Sequence, residues 1–248
     1  MTYILGLDTW AGSLNIDEQV IWDGGVRFII PRLNSITGGL TLDTEFSRQW
    51  AQAVRFYRVP YFVYSPFRPW AENLQFLGDN LPAGVRRVCV DVEVKRDGYS
   101  SGAYAADFEH FYLGAKQNWN VTIYTALWFA PYLAYWPPGA EYWWARYPLS
   151  WYPATSQIIS WEAIQAKAAV QTWAPNCTLG TCALWQISGD RYKPPGCQGR
   201  AVDINLFNGS DAALAQWAGA EQVQDNWYWD VTLGLRELGK TVRDPMSV

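Results

Sequence analysis

The chain has 248 residues, half of them hydrophobic, and a formal net charge of -4 at pH 7. This acidic balance gives no support for broad nucleic-acid binding, which depends mainly on Lys and Arg against phosphate. Apolar runs stay well short of the roughly 18 residues that a membrane span needs, so no membrane-spanning segment is predicted.

One α/β domain is predicted, because no Gly/Ser linker or change in composition divides the chain. We assign residues 1–221 to this domain and residues 222–248 to a C-terminal tail that packs on it or extends from it. The N-terminal segment has no basic region and no small-residue cleavage site, and it runs directly into a strand-like stretch. No signal peptide is therefore predicted.

Short β-rich runs alternate with amphipathic helical stripes along the chain. Eight strands are predicted over 3–7, 26–30, 61–64, 87–92, 121–124, 142–145, 183–187 and 202–205. Helical stripes are predicted over 46–57, with Asp43 as N-cap, and over 70–81, 104–119 and 211–218. Pro131, Pro137 and Pro138 argue against a full helix between the fifth and sixth strands. The pattern predicts an irregular, TIM-like, single-domain β/α barrel with a parallel sheet, in which some helices are short or missing.

Four acidic residues lie where the predicted strands end. Asp8 follows the first strand, Asp91 and Glu93 close the fourth, and Asp203 lies in the eighth. In residues 88–94 valines alternate with the acids, so the pleat places both acids on the face opposite the valines. Functional groups of a parallel barrel collect at the carboxyl ends of its strands, so the four acids are predicted to share one site.

Carboxyl groups that share a partly apolar cleft raise one another's pKa, so that one can hold a proton while another is ionised. Glycoside hydrolysis uses such a pair of carboxyl groups. A structural role is the alternative for single acids: Asp8 could be a cap or a loop partner, and Asp203 could hold a turn. The 16 Trp and 15 Tyr offer flat faces for sugar rings, although most are expected in the core.

The cysteines and the single histidine bear on metal binding. Cys177 and Cys182 are close enough to bridge across a tight loop, and the sequence leaves open whether they form a disulfide. His110 is the only histidine and no CxxC pair occurs. Neither a metal site nor a cofactor is predicted.

Ordered blocks over residues 3–208 resemble glycoside hydrolase family 25 lysozymes. The blocks are GLDTWAGSLNID at 6–17, residues 28–53, Asp91-Val92-Glu93, Tyr124-Thr125, Trp144-Ala145 with Tyr147, Trp185-Gln186, and Val202-Asp203 with Asn205. Their order, rather than any single motif, carries the resemblance. One departure lies in the third strand, where the family commonly has Tyr-His-Phe and this chain reads YFVY at 61–64.

The resemblance implies an N-acetylmuramidase that cuts the β-1,4 bond between N-acetylmuramic acid and N-acetylglucosamine of peptidoglycan, with residues 1–221 as its catalytic barrel. Glu93 would be the general acid and then the base, with retention of configuration. Asp91 would assist attack by the substrate's own N-acetyl group or act more directly. Asp8 and Asp203 would hold the charge and hydrogen bonding of the site. The implied sugar-binding residues are Tyr64, Tyr124, Trp144, Tyr147 and Trp185.

The resemblance further implies action at the bacterial cell wall by a phage-encoded endolysin or a protein that is extracellular after release. Peptidoglycan glycan strands are the expected partner, and a phage or wall-targeting protein could be a second one. Two alternatives stay open. The chain could be a carbohydrate-binding phage or surface protein that has lost catalysis, or it could hydrolyse another N-acetylated glycan such as chitin.

Overall fold

The computed structural model describes residues 3–13, 16–37, 39–198 and 201–219. Its strands are β1 (Ile4–Thr9), β2 (Val26–Pro31), β3 (Asn34–Ser35), β4 (Thr41–Leu42), β5 (Tyr57–Arg58), β6 (Tyr61–Val63), β7 (Arg87–Asp91), β8 (Asn120–Ala126), β9 (Glu141–Ala145), β10 (Gln157–Ile158), β11 (Thr181–Lys193) and β12 (Val202–Phe207). Its α-helices are α1 (Glu18–Asp23), α2 (Phe46–Gln52), α3 (Trp70–Asn80), α4 (Ser101–Lys116), α5 (Trp161–Ala169) and α6 (Asp211–Ala218).

The main sheet curls into a barrel. Its strands follow the order β5-β2-β1-β12-β11-β9-β8-β7-β6, and the short β10 pairs with β11 outside this path. The two ends of the sheet meet at β5 and β6, which follow one another in the chain and together take one strand position of the barrel. Arg32, just after β2, forms a β-bridge with Tyr61 of β6 and so closes the sheet. Asn34 adds two hydrogen bonds across this seam, to the backbone N–H and C=O of Val63. The predicted irregular α/β barrel of about eight strands is confirmed.

The last strand of the barrel runs against the others. β12 is antiparallel to both of its neighbours, β1 and β11, whereas the other neighbouring pairs around the barrel are parallel. The prediction of a parallel sheet is therefore wrong for this strand. Asp203 lies near the start of β12 rather than at its carboxyl end. Because β12 is reversed, its start lies at the same rim as the carboxyl ends of the other strands.

Alternate residues of each strand pack in different layers, as the period of a β-strand requires. Val88 and Val90 of β7 face outwards and pack in a cluster with Leu77 of α3 and Phe108 of α4. The barrel interior is filled by a separate cluster that includes Phe28, Tyr61, Cys89, Tyr124 and Trp143. The valine face and the acidic face predicted for residues 88–94 are therefore on opposite sides of the barrel wall.

Gly6 of β1 makes room for a ring inside the barrel. A Cβ at this position would lie 2.1 Å from Cε2 of Phe28, far closer than carbon atoms approach without repulsion. Phe28 is itself completely buried. A side chain on residue 6 would therefore displace the ring that fills this part of the interior.

The helices agree with most of the predicted stripes. α2, α3, α4 and α6 are confirmed, and between β8 and β9 the described residues form only a short 3-10 turn, Ala130–Tyr132. Asp43 does not cap α2, whose N-cap is Glu45. Instead the buried Asp43 carboxylate forms an ion pair with Arg32 at 2.7 Å. The helices α1 and α5 were not predicted, and the predicted tail over 222–248 lies outside the described residues.

Within the described ranges, no helix is long and apolar enough to cross a membrane. All four cysteines are free thiols, including Cys177 and Cys182. Of the two states that the sequence left open for this pair, the structure therefore has the reduced one.

Candidate active site

The four predicted acids meet at one rim of the barrel. Asp8 near the end of β1 and Asp203 near the start of β12 are register partners. Asp91 is the last residue of β7, and Glu93 follows two positions later on the same face. Asp8 and Asp91 are buried, while Glu93 and Asp203 are partly exposed. Four residues from three distant parts of the chain thus form one acidic group with access to solvent.

Two amide side chains hold Asp8 from inside the barrel. Oδ2 of Asp8 accepts a hydrogen bond of 2.8 Å from Nδ2 of Asn205 and one of 3.0 Å from Nε2 of Gln186. Oδ1 of Asn205 in turn accepts from the indole N–H of Trp143 at 2.8 Å. An indole N–H can only donate, so the Asn205 amide must turn its N–H groups to Asp8. Asp203 accepts from the backbone N–H of Asp190 at 2.7 Å.

Asp8 and Asp203 differ in the causes that set the pKa of their carboxyl groups. Burial raises the pKa of Asp8 to about 6, and the hydrogen bonds from Asn205 and Gln186 oppose this rise. Burial and the neighbouring Asp8 raise the pKa of Asp203 well above its ordinary value. Two carboxyl groups this close do not ionise together easily. The two amide donors therefore favour the charged form of Asp8, and burial beside Asp8 favours the protonated form of Asp203.

Glu93 has the proton affinity of a general acid that works near neutral pH. Burial, together with the charge of Asp8, raises its pKa to about 7. It has no hydrogen bond or ion pair with any residue that the structure describes. The pKa of Asp91 is raised well above its ordinary value by burial and by Glu93 and Asp8, with Arg32 opposing. Glu93 is thus free to give or take a proton at the rim of the barrel.

Asp91 has one unused polar atom. Its Oδ1 is buried and has no hydrogen-bond partner among the described residues. An unpaired buried oxygen is costly unless a ligand or water supplies the partner. This atom belongs to the interior face of the strand, two residues before Glu93 on the same face.

Two of the five predicted sugar-binding residues lie next to the acids. The hydroxyl groups of Tyr124 and Tyr147 donate to Oε1 of Gln186 at 2.9 and 2.6 Å. Tyr124 is almost fully buried, whereas Tyr147 is partly exposed and stacks on the exposed Tyr152 at 5.1 Å between ring centroids. Both tyrosines therefore belong to the wall of the acidic site.

The other three predicted sugar-binding residues lie in the core. Tyr64 is fully buried and contacts rings of α4. Trp144 is fully buried, and Trp185 packs edge-on against Trp173 on the outer side of the barrel wall. Strand neighbours face opposite sides, so Trp143 and Gln186 take the interior positions instead. No ring face of Tyr64, Trp144 or Trp185 is open to a sugar, and we do not retain them as substrate contacts.

Several residues of this site were not among the predicted site residues. Gln186 and Asn205 stood in the blocks that carry the resemblance, and Trp143 adjoins Trp144. Period-2 alternation from Asp203 would have placed Asn205 on the interior face, but β9 and β11 carry none of the four acids, so alternation alone does not assign Trp143 and Gln186 to that face. Arg32 is different, since its position beside Asp91 follows from closure of the barrel.

The rim also carries exposed aromatic side chains. Trp128, just after β8, is 58% exposed, and the ammonium group of Lys95 lies 5.4 Å from its ring centroid. Lys95 is two residues beyond Glu93, so this pair lies on the β7 and β8 side of the site. In the part of the chain that the structure describes, no group of three or more His, Cys, Asp or Glu residues is arranged to hold a metal ion.

Comparison with known proteins identifies the fold. No family model matches the sequence, and no curated protein matches it. Among solved structures, a bacterial lysozyme from Streptomyces coelicolor is similar at a TM-score of 0.65 with 19% identity, covering 89% of this chain and 100% of that one. A family 25 glycosyl hydrolase from Bacillus anthracis reaches 0.63 with 14% identity, covering 88% and 93%. A muramidase from Acremonium alcalophilum reaches 0.58 with 24% identity, covering 87% and 98%. The chain therefore has the fold of the family 25 lysozymes and muramidases.

Proposed function

We propose that the protein is a family 25 glycoside hydrolase, an N-acetylmuramidase that cleaves the β-1,4 bond between N-acetylmuramic acid and N-acetylglucosamine in peptidoglycan. The observation that carries the proposal is Glu93: a partly exposed carboxyl group with a pKa of about 7, without a hydrogen-bond or ion-pair partner in the described structure, at the rim of the barrel. The shared fold of lysozymes and muramidases supports the choice of substrate.

In this proposal Glu93 protonates the leaving glycosidic oxygen and then removes a proton from the attacking water. Its raised pKa keeps enough of the protonated form at neutral pH for the first step. Asp91 lies on the same strand face, and in this proposal its unpaired Oδ1 accepts a hydrogen bond from the N–H of the substrate's acetamido group. The acetamido oxygen then attacks the anomeric carbon and the protonated leaving oxygen departs. Water displaces the acetamido oxygen in a second step, so the anomeric configuration is retained.

The remaining acids set the charge of the site. Asp8 places a negative charge that keeps the proton on Glu93, and Asp203 keeps a proton of its own because it adjoins Asp8. Tyr124 and Tyr147 form the wall on the β8 and β9 side. Exposed Trp128 offers a ring face to a glycan that lies across the rim, since aromatic faces stack on the C–H faces of sugars.

The place of action in this proposal is the bacterial cell wall, reached by a phage-encoded enzyme or by a protein released from a cell. Peptidoglycan glycan strands are the partner that the site is proposed to bind. A phage or wall-targeting protein as second partner also belongs to the proposal.

The decisive experiment compares wild-type protein with Glu93→Gln on purified peptidoglycan. We expect wild type to release fragments that end in reducing N-acetylmuramic acid, identified by mass spectrometry. Glu93→Gln keeps the shape of the side chain but has no acidic proton, so turnover should fall by at least about 100-fold. Glu72→Gln on the exposed side of α3 is the matched control and should retain full activity.

Three outcomes contradict the proposal in different ways. Lysis by Glu93→Gln at the wild-type rate would remove Glu93 from the mechanism. Saturable binding of glycan without new reducing ends would make the protein a carbohydrate-binding relative that has lost catalysis. Faster cleavage of chitin oligomers than of peptidoglycan would keep hydrolysis and change the substrate.

A further inference from the structure

Gln186 occupies the centre of the hydrogen-bond network around the acids. It lies on the interior face of β11 and is 2% exposed. Its Nε2 donates to Oδ2 of Asp8 at 3.0 Å and more weakly to Oδ2 of Asp203 at 3.4 Å. Its Oε1 accepts from the hydroxyl groups of Tyr124 and Tyr147. One side chain thus joins both carboxyl groups of the Asp8–Asp203 pair to two tyrosines.

The two tyrosines fix the orientation of this amide. With Oε1 held by two O–H donors, the N–H groups of Gln186 must point to the carboxyl groups on the other side. The shorter contact is to Asp8, which also receives the Asn205 amide. A carboxylate that accepts several N–H bonds is favoured in its charged form. The geometry therefore selects Asp8, rather than Asp203, to carry the charge.

We propose that Gln186 is a positioning residue that holds the negative charge of the acidic pair on Asp8 and, through this charge, keeps the proton on Glu93. The inference deepens the proposed function and rests on it. The hydrogen bonds of the Gln186 side chain within the described structure go to Asp8, Asp203, Tyr124 and Tyr147 and not to Glu93. It acts by deciding which carboxyl group opposite Glu93 is ionised.

The charge on Asp8 acts on titratable groups that belong to several elements of the barrel. These groups also titrate in the site and contribute to its pH dependence. Asp8 raises the proton affinity of Asp91 on β7 and Glu93 just after it, of Asp203 on β12, and of Tyr61 on β6 and Tyr147 after β9. The groups to be considered in the pH dependence are Asp8, Asp91, Glu93, Asp190, Asp203, Cys89, Tyr61, Tyr124, Tyr147 and Arg32.

Replacing Gln186 by Met tests the proposal, because Met has a similar length and no donor. Without the N–H donor Asp8 ionises less readily, and Glu93 then loses its proton at a lower pH. We expect the basic limb of the pH profile of kcat/KM on peptidoglycan to move down by about half to one pH unit. Carboxyl ¹³C NMR titration of Asp8 and Glu93 should show the midpoint of Asp8 rising and that of Glu93 falling.

A second background separates positioning from a merely structural role. Asp8→Asn removes the charge on which Gln186 acts, so Gln186→Met should cause no further shift of the basic limb or of the Glu93 midpoint in this background. The matched control is Gln165→Met, which removes the hydrogen bond from Nε2 to the backbone oxygen of Gly24 on the outer side of the barrel. It should lower stability and leave the pH profile in place.

Unchanged midpoints of Asp8 and Glu93 in folded Gln186→Met would overturn the inference, as would an equal shift in the Asp8→Asn background. If Gln186→Met does not fold, Tyr147→Phe replaces it. This variant removes one of the hydroxyl groups that orient the amide and should shift the Glu93 midpoint in the same direction by less; no shift would again overturn the inference. Wild-type protein without hydrolytic activity would refute the proposed function instead, and the NMR titration would still decide on Gln186.

Discussion

The raised pKa of Glu93 predicts that Glu93→Gln stabilises the folded protein as the pH rises. The ordinary pKa of 4.5 applies to the unfolded chain, and burial with the charge of Asp8 raises the folded value to about 7. Each tenfold change in proton affinity corresponds to about 1.4 kcal/mol, so ionising Glu93 in the folded protein costs about 3 kcal/mol. Gln at this position does not ionise and avoids this cost.

The sign follows from proton binding. Below pH 4.5 Glu93 is protonated in both folded and unfolded wild-type protein, and the variant should gain little. Between pH 4.5 and 7 the unfolded chain releases the proton while the folded protein keeps it, so wild-type stability falls relative to the variant. Above pH 7 the variant should be more stable by about 3 kcal/mol, the full value.

The assay is urea unfolding of both proteins at pH 4, 6 and 8, followed by tryptophan fluorescence. Glu72→Gln is the control, because Glu72 is about half exposed. Its ion pair with the similarly exposed Arg68, at 3.7 Å, lies on the surface. Its effect should stay within about 0.5 kcal/mol at every pH. A difference between wild type and Glu93→Gln that does not change from pH 4 to 8 would refute the reasoning, because it would show that Glu93 titrates alike in both states.

Three further outcomes are expected. The kcat/KM of wild-type protein on peptidoglycan should fall above about pH 7, where Glu93 loses its proton; activity that stays level to pH 9 would contradict this role. Trp128→Ala should raise KM by about tenfold and leave kcat within about twofold if its exposed ring binds glycan; an unchanged KM would exclude the ring from binding. Gly6→Ala should destabilise the protein by about 1 to 3 kcal/mol in thermal unfolding, because its Cβ meets the Phe28 ring. Adding Phe28→Leu should relieve part of this loss. Wild-type stability of Gly6→Ala would contradict the close approach.

Much of the architecture follows from patterns that are local in the chain. The strand over 87–92 is recognisable because valines alternate with Cys89 and the acids, and the same alternation places Asp91 and Glu93 together on one face. The stripes that became α3 and α4 are equally local. Such patterns depend on neighbours within a few residues, so they survive without knowledge of the tertiary fold.

The prediction missed helix α5 and misplaced the N-cap of α2. Ser160 accepts a hydrogen bond from the backbone N–H of Ala163 as an ordinary N-cap, and Trp161, Ile164 and Ala168 form the buried stripe of α5, so the local signals for this helix are present in the sequence. Asp43 has the residue type of a cap, yet its carboxylate forms an ion pair with Arg32, the first residue after β2. A distant partner thus decides between two roles that the residue type allows equally.

The eight main strands of the barrel, most of the helices and the set of four acids could be predicted from the sequence, because side-chain period and residue type are properties of short segments. The reversal of β12, the resulting position of Asp203 opposite Asp8 and the orientation of Trp144 and Trp185 away from the site became known from the three-dimensional structure. Alternation separates the two faces of a strand but does not say which face is the interior. That choice depends on pairing between strands that are far apart in the chain, and it made Gln186, rather than Trp185, the neighbour of the acids.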